Sequence, residues 1–142
     1  MTVIVTLTFN PAIDVSTSIE RMMPFHKLRC AEAQRDPGGG GINVARVLRR
    51  WHSDVVAIYP AGGPTGELLK RLIDRKGIHS RAIETAEDTR EDFTVFESST
   101  GNQCRFVFPG FPLTESECQT VYDALDSIDP RPRFMIASGS PA

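Results

Sequence analysis

Cysteine is scarce in this chain, and so are aromatic residues and uncompensated charge. The three cysteines, Cys30, Cys104 and Cys118, are odd in number and widely spaced, with no Cys-x-x-Cys pair. Neither a disulfide framework nor a zinc site is indicated, and reduced cytoplasmic thiols are the natural reading. His26, His52 and His79 stand alone without ligand spacing, so each reads as structural or solvated, and no metal site is expected. Net charge is only −2, a field too weak to recruit nucleic acid or an anionic membrane. No apolar run approaches the length that spans a bilayer. The opening Met1-Thr2-Val3-Ile4-Val5 has no basic stretch and reads as a buried strand, not a signal peptide.

What is present is a globular composition. Hydrophobic residues make up 40% and charged residues 24% of 142 residues, enough apolar area to bury the core of one domain or of a fragment of a larger one.

The pattern along the chain alternates. Residues 3–8 are a β-branched apolar run and predict a buried strand, with a turn at Asn10-Pro11. Val44, Ala45, Val47, Leu48 and Trp51 recur at helical spacing after a glycine run. Val55 to Tyr59 predicts another buried strand. Gly62-Gly63-Pro64 breaks the chain, and Leu68, Leu69, Leu72 and Ile73 predict a second helix stopped by Gly77. Phe93 to Phe96 and Cys104 to Phe108 are β-rich runs, and the polar link around Gly101-Asn102 predicts a hairpin. Thr114 and Glu117 match a capping box before the apolar face Cys118, Val121, Leu125 and Ile128. Phe134 to Ala137 predicts a further buried strand. Strand–helix alternation implies an α/β fold with a parallel sheet. Two β-only insertions, near residues 14–36 and 90–109, are expected to pair into a small separate sheet. It would lie over the carboxyl ends of the parallel strands, where open α/β sheets bind ligands.

The strongest motif is Pro37-Gly38-Gly39-Gly40-Gly41-Ile42-Asn43 before the first helix. Four consecutive glycines cost backbone entropy and exceed the needs of a turn. Close approach of a ligand to bare amides at a helix start compensates. The motif is no P-loop, because Ile42 stands where Lys is needed. It is no dinucleotide fingerprint either, because the next strand ends at Tyr59-Pro60-Ala61 without a carboxylate.

Asn43 sits just inside the helix, where Asn has poor propensity. Its amide fits a ligand hydroxyl or, equally, a local cap bond. Asp14 fits a pair of sugar hydroxyls or, equally, a turn. Lys27, Arg29, Arg90 and Arg105 lie in or beside the β insertions. Converging on one site they would suit a phosphate; singly, each reads as a solvated charge.

These residues together resemble the ribokinase family of carbohydrate kinases, also called the PfkB family. The segments that carry the likeness are Thr6-Leu7-Thr8 with Asn10-Pro11-Ala12-Ile13-Asp14, Lys27-Leu28-Arg29, Gly38 to Arg46, Ala61-Gly62-Gly63 with Thr65-Gly66, Thr89-Arg90, Arg105 to Gly110 and Ala137-Ser138-Gly139-Ser140-Pro141. They run through essentially the whole chain. The string Gly-Gly-Gly-Gly-Ile-Asn-Val-Ala-Arg is similar to that of the minor bacterial 6-phosphofructokinases; Asn10 to Asp14 is shared with the 1-phosphofructokinases.

The resemblance implies a ribokinase-like, Rossmann-like, mostly parallel sheet with flanking helices and a small β-sheet lid. Residues 1–142 would be the amino-terminal half of such a kinase, truncated before the rest. It implies transfer of the γ-phosphate of MgATP to fructose 6-phosphate, giving fructose 1,6-bisphosphate, in the cytoplasm. Tagatose-6-phosphate or 1-phosphofructokinase-like activity is the alternative within the family, and a non-catalytic sugar-binding or interaction remnant the alternative outside it. Asp14, Gly39, Gly40 and Asn43 would bind sugar hydroxyls. Arg90 and Arg105 would hold the phosphate, with Lys27 and Arg29 from a neighbouring subunit of a homodimer joined through the lid. Ser138 would border the sugar. The catalytic aspartate of a Gly-Ala-Gly-Asp segment and most of the ATP site belong to the half this chain does not contain, so the chain alone is expected to be inactive.

Overall fold

The computed structural model describes residues 3–139. The elements run β1 (Val3–Thr8), β2 (Ala12–Ile19), β3 (Gln34–Gly38), α1 (Gly40–Arg50), β4 (Asp54–Ala61), α2 (Gly63–Arg75), β5 (His79–Glu84), β6 (Arg90–Glu97), β7 (Gln103–Phe106), α3 (Glu115–Asp126) and β8 (Phe134–Ser138). They form two sheets. One is wholly parallel with strand order β5-β4-β1-β8, and the other has order β3-β2-β6-β7. The fold is α/β, with the helices against the parallel sheet.

Strand periodicity explains the layering. Val55, Ala57, Tyr59 and Ala61 alternate along β4 and pack with Ile42 and Ala45 of α1 and Leu69, Leu72 and Ile73 of α2. Val3, Val5 and Leu7 of β1 join Ile58, Ile83, Val121 and Ile128 in a second cluster on the opposite face. A parallel sheet covered on both faces needs apolar residues at successive positions, which is why these strands read as continuous runs.

The two insertions do pair into a separate sheet. β2 runs antiparallel to β3 and parallel to β6, and β6 and β7 form the antiparallel hairpin. The turn closes through the Gly101 N–H to the Glu97 carbonyl at 2.8 Å, with Gly101 at φ 77°. Gly77, at φ 66°, follows the C-terminus of α2, as its left-handed conformation allows. The capping box is formed: Thr114 Oγ1 accepts the Glu117 N–H at 3.1 Å and Glu117 Oε2 accepts the Thr114 N–H at 2.9 Å.

Three features depart from the sequence pattern. β8 is a strand but not a buried one: Phe134, Met135 and Ile136 are 56%, 54% and 36% exposed. It is the edge strand of its sheet and pairs only with β1 among the described residues. α1 turns Ala45 and the half-buried Leu48 inward as its periodicity predicts, but also Gly41 and Ile42, and leaves Val47 and Trp51 exposed. The third is β5, which has a weak apolar signal because within the strand only Ile83 is fully buried.

Candidate functional site

The carboxyl ends of β1 and β8, the end of β3 and the start of α1 meet at one corner. Gly39, at φ 125°, is the N-cap of α1, so a side chain there would be strained. Gly39 offers no side chain to cap this helix and no acidic residue lies in its first turn, so its positive end is not offset by a charge from its own first turn. The other glycines admit close neighbours. A Cβ on Gly38 would lie 2.5 Å from the Asp14 carboxyl carbon, and one on Gly40 would lie 3.0 Å from Ser138 Oγ. Ser138 Oγ accepts the Gly41 N–H at 2.6 Å. The glycine run therefore does more than bare its amides: it lets Asp14 and Ser138 close on the helix start. Asp14, Gly39, Gly40 and Ser138 lie around this one corner. Asn43 lies in the first turn of α1 with an exposed side chain that makes no hydrogen bond among the described residues, so the local cap bond is not formed.

Asp14 lies within β2, level with Asp36 of β3 and Asp92 of β6. Residues level across a sheet share a face. Among the described residues its carboxylate takes part in no hydrogen bond or ion pair. Burial, then the charge of Asp92, push its pKa above the usual carboxylate value, and Arg105 and Arg90 pull against them. Both guanidinium groups are thus electrostatic neighbours of Asp14.

The two arginines differ in their state. Arg90 is mostly buried: Nη1 donates to Asp92 Oδ1 and Oδ2 at 3.0 and 2.9 Å and to the Phe108 carbonyl at 3.1 Å, and Nη2 donates to the Asn10 carbonyl at 3.2 Å. Its Nε is buried without a partner. Arg105, level with Thr94 on the outer strand β7, is exposed and makes no hydrogen bond or ion pair among the described residues. Lys27 and Arg29 are exposed on the connection that leaves β2 at Ile19. Ala31 bonds the Ser18 carbonyl, so this connection sits at the far end of β2. At about 3.3 Å per residue, six residues of strand separate Ser18 from Ala12 by roughly 20 Å. The two cations are therefore remote from the glycine corner of their own chain. Two cavities border Arg90, one lined by Asn10, Thr85, Glu87 and Glu117, the other by Thr65, Phe93, Phe108 and Phe111. Neither is lined by Asp14 or Asn43.

Residues 3–129 match the profile of the pfkB family carbohydrate kinases. The chain belongs to this family. It is 47% identical over 137 residues to the ATP-dependent 6-phosphofructokinase isozyme 2 of Mycobacterium tuberculosis, covering 96% of this chain and 40% of that protein. It is 32% identical over 121 residues to a 1-phosphofructokinase of Xanthomonas campestris, covering 85% of this chain and 38% of that one. It superposes with a TM-score of 0.90 and 36% identity on the crystal structure of phosphofructokinase-2 from Escherichia coli in complex with fructose-6-phosphate, over 98% of this chain and 46% of that one. The chain spans less than half the length of these relatives.

Of the segments that carried the family likeness, Ser140 and Pro141 lie outside the described residues. The residue that sequence reasoning passed over is Asp92, whose carboxylate anchors the pfkB-family Arg90. Its signal was its place two positions after Arg90 in a strand, which puts both on one face. Among the described residues no group of three or more His, Cys, Asp or Glu side chains is arranged to hold a metal ion, and no helix is long and apolar enough to cross a membrane.

Proposed function

We propose that this chain carries the sugar-phosphate site of an ATP-dependent kinase acting on fructose 6-phosphate, with fructose 1,6-bisphosphate as product. The observation that supports it best is the convergence at one corner of an unbonded carboxylate (Asp14), a glycine-rich helix start (Gly39–Asn43) and the Ser138 hydroxyl that takes its Gly41 amide, with Arg90 and Arg105 biasing Asp14 electrostatically. A carboxylate without partners suits paired sugar hydroxyls, and forked guanidinium donors suit a phosphate. The Mycobacterium tuberculosis and Escherichia coli relatives carry the corresponding names. The 32% identity to a 1-phosphofructokinase keeps fructose 1-phosphate as the second substrate reading.

In this reading Asp14 and Asn43 orient the ring, the α1 amides face its hydroxyls, and Arg90 and Arg105 hold the existing phosphate. The sheet β3-β2-β6-β7 acts as a lid that excludes water, so that MgATP is spent on the sugar and not on hydrolysis. Lys27 and Arg29, held away from their own corner, would serve the site of a second copy joined lid to lid. The base and the nucleotide pocket would lie in the part of the longer relatives that this chain does not match. The 142 residues alone then bind sugar phosphate without turning it over, in a cytoplasmic setting.

Isothermal titration calorimetry with fructose, fructose 6-phosphate and fructose 1-phosphate tests the proposal. Preference for fructose 6-phosphate over fructose is expected; equal affinities would remove the phosphate clamp, and preference for fructose 1-phosphate would select the second reading. Turnover of fructose 6-phosphate and MgATP at ordinary kinase rates would refute the inactivity of the isolated chain.

A further inference from the structure

A carboxylate buried as deeply as that of Asp92, 8% exposed, persists only where its charge is matched. Three hydrogen bonds from two donors match it: Arg90 Nη1 on both oxygens and the Phe108 N–H on Oδ1 at 3.1 Å. The consequence lies in what remains of Arg90. With Nη1 held by Asp92 and the Phe108 carbonyl, and Nη2 by the Asn10 carbonyl, the guanidinium plane is tied to β6, to the segment after β7 and to the β1–β2 turn. Its Nε–H is left buried and without an acceptor. A buried donor without a partner is unfavourable and is relieved by an acceptor that arrives from outside.

We propose that Asp92 is a positioning residue of the sugar-phosphate site: it fixes Arg90 through Nη1 so that the uncommitted Nε edge is held ready for the substrate phosphate. This rests on the function proposed above. Asp92 touches no substrate itself. It also ties the Phe108 amide past the last β6–β7 ladder pair, Phe93 with Phe106, so the arginine and the exit of the lid hairpin are set by one carboxylate. The neighbouring charges are Asp14 at the same level on β2, Asp36 beyond it, and Arg105 on β7. The proposal is therefore about geometry, since removing a negative charge here would by electrostatics alone favour an anion.

The test compares the unmutated chain with Asp92→Asn, which keeps size and one acceptor but weakens the hold on Nη1, and with Asp92→Glu, which keeps the charge but displaces the guanidinium. Fructose 6-phosphate, inorganic phosphate and fructose are titrated into each, and thermal unfolding is followed by circular dichroism. Both variants are expected to lose about tenfold in affinity for the two phosphate ligands, the size of one charge-assisted hydrogen bond, with fructose affinity within about twofold. Arg90→Lys should produce the same selective loss, and adding Asp92→Asn to it should cost nothing more. If one variant does not fold, the other decides. If the unmutated chain does not prefer fructose 6-phosphate to fructose, the proposed function falls and this inference with it. If it does, and the folded variants keep that preference or bind phosphate more tightly, the inference alone is overturned.

Discussion

Replacing Gly38 by alanine separates ligand recognition from stability. A Cβ at this position would lie 2.5 Å from Asp14 Cγ and 2.6 Å from its Oδ1, so the carboxylate must leave its present rotamer. Asp14 is partly exposed and tied to nothing among the described residues, so it can swing away. An off-rotamer side chain costs about 0.5–1.5 kcal/mol. Alanine in place of glycine recovers about 0.4–1 kcal/mol from the unfolded chain where the backbone is compatible, and Gly38 has no left-handed φ. The two terms nearly cancel, and the unfolding midpoint should move by only a few degrees. Sugar affinity should fall much further. A hydrogen bond to a charged group contributes about 1.5–3 kcal/mol, so displacing Asp14 should weaken fructose 6-phosphate roughly ten- to hundredfold. Calorimetry and thermal unfolding on Gly38→Ala, Asp14→Ala and the double variant measure both quantities. The single variants should lose affinity equally, and the double variant no more than either. Unchanged affinity in Gly38→Ala would refute the claim that Asp14 meets the ligand from this corner.

The other predictions concern the surroundings of that corner. Asp14 has a raised folded pKa, so its ionised form is disfavoured in the folded state. Its penalty is fully present above the folded pKa and is relieved as pH falls toward the unfolded value of 3.8; Asp14→Asn should remove that slope from a stability–pH profile. Ser138→Ala strands the Gly41 amide and should cost about 1–3 kcal/mol, with Ser138→Thr recovering most of it in chemical denaturation. Ile42→Ala, at a fully buried site, should cost about 2–5 kcal/mol. Trp51→Ala, at a site 73% exposed, should stay within about 0.5 kcal/mol; the reverse order would refute the observed orientation of α1.

The parallel sheet was legible because its strands are apolar runs and its helices carry periodic faces. The second sheet was legible because two β-rich stretches broke that alternation and one contained a Gly-Asn turn. The orientation of α1 was legible only in part. Of the periodic apolar residues Val44, Ala45, Val47, Leu48 and Trp51, Ala45 and Leu48 do pack inward, but Val47 and Trp51 are exposed, and the small residues of the glycine run let Ile42 join the core. β8 looked buried because Phe-Met-Ile-Ala is apolar on both sides, and no local pattern reveals whether a second neighbour covers a strand. At the site, Asp14, the glycines and Ser138 could be named from the family likeness. Their dependence on one another through Gly38, Gly40 and Gly41 is a matter of ångströms that spacing does not carry. Asp92 was passed over for a different reason: Arg-Glu-Asp reads as solvated charge until strand alternation is used to put Arg90 and Asp92 together on the inner face.

The contrast between Arg90 and Arg105 bears on how the proposed site would work. Arg90 sits on the inner strand β6 and is held on three sides before any ligand arrives. Arg105 sits on β7, all four residues of which are exposed, and nothing among the described residues holds it. Ordering such a side chain costs about 0.5–1.5 kcal/mol at the moment of binding, a cost the fixed arginine has already met in folding. A phosphate would therefore meet one preorganised donor first and recruit the second by drawing in the edge of the lid. A sugar ring, by contrast, would face groups resting on the packed core: Asp14 beside Ile13 and Val15, and the start of α1 anchored by Ile42. In the proposed site, recognition of the ring would then be rigid and recognition of the phosphate coupled to the order of the β7 edge. Discrimination between fructose and its phosphate would thus appear in how firmly β7 is held as well as in affinity.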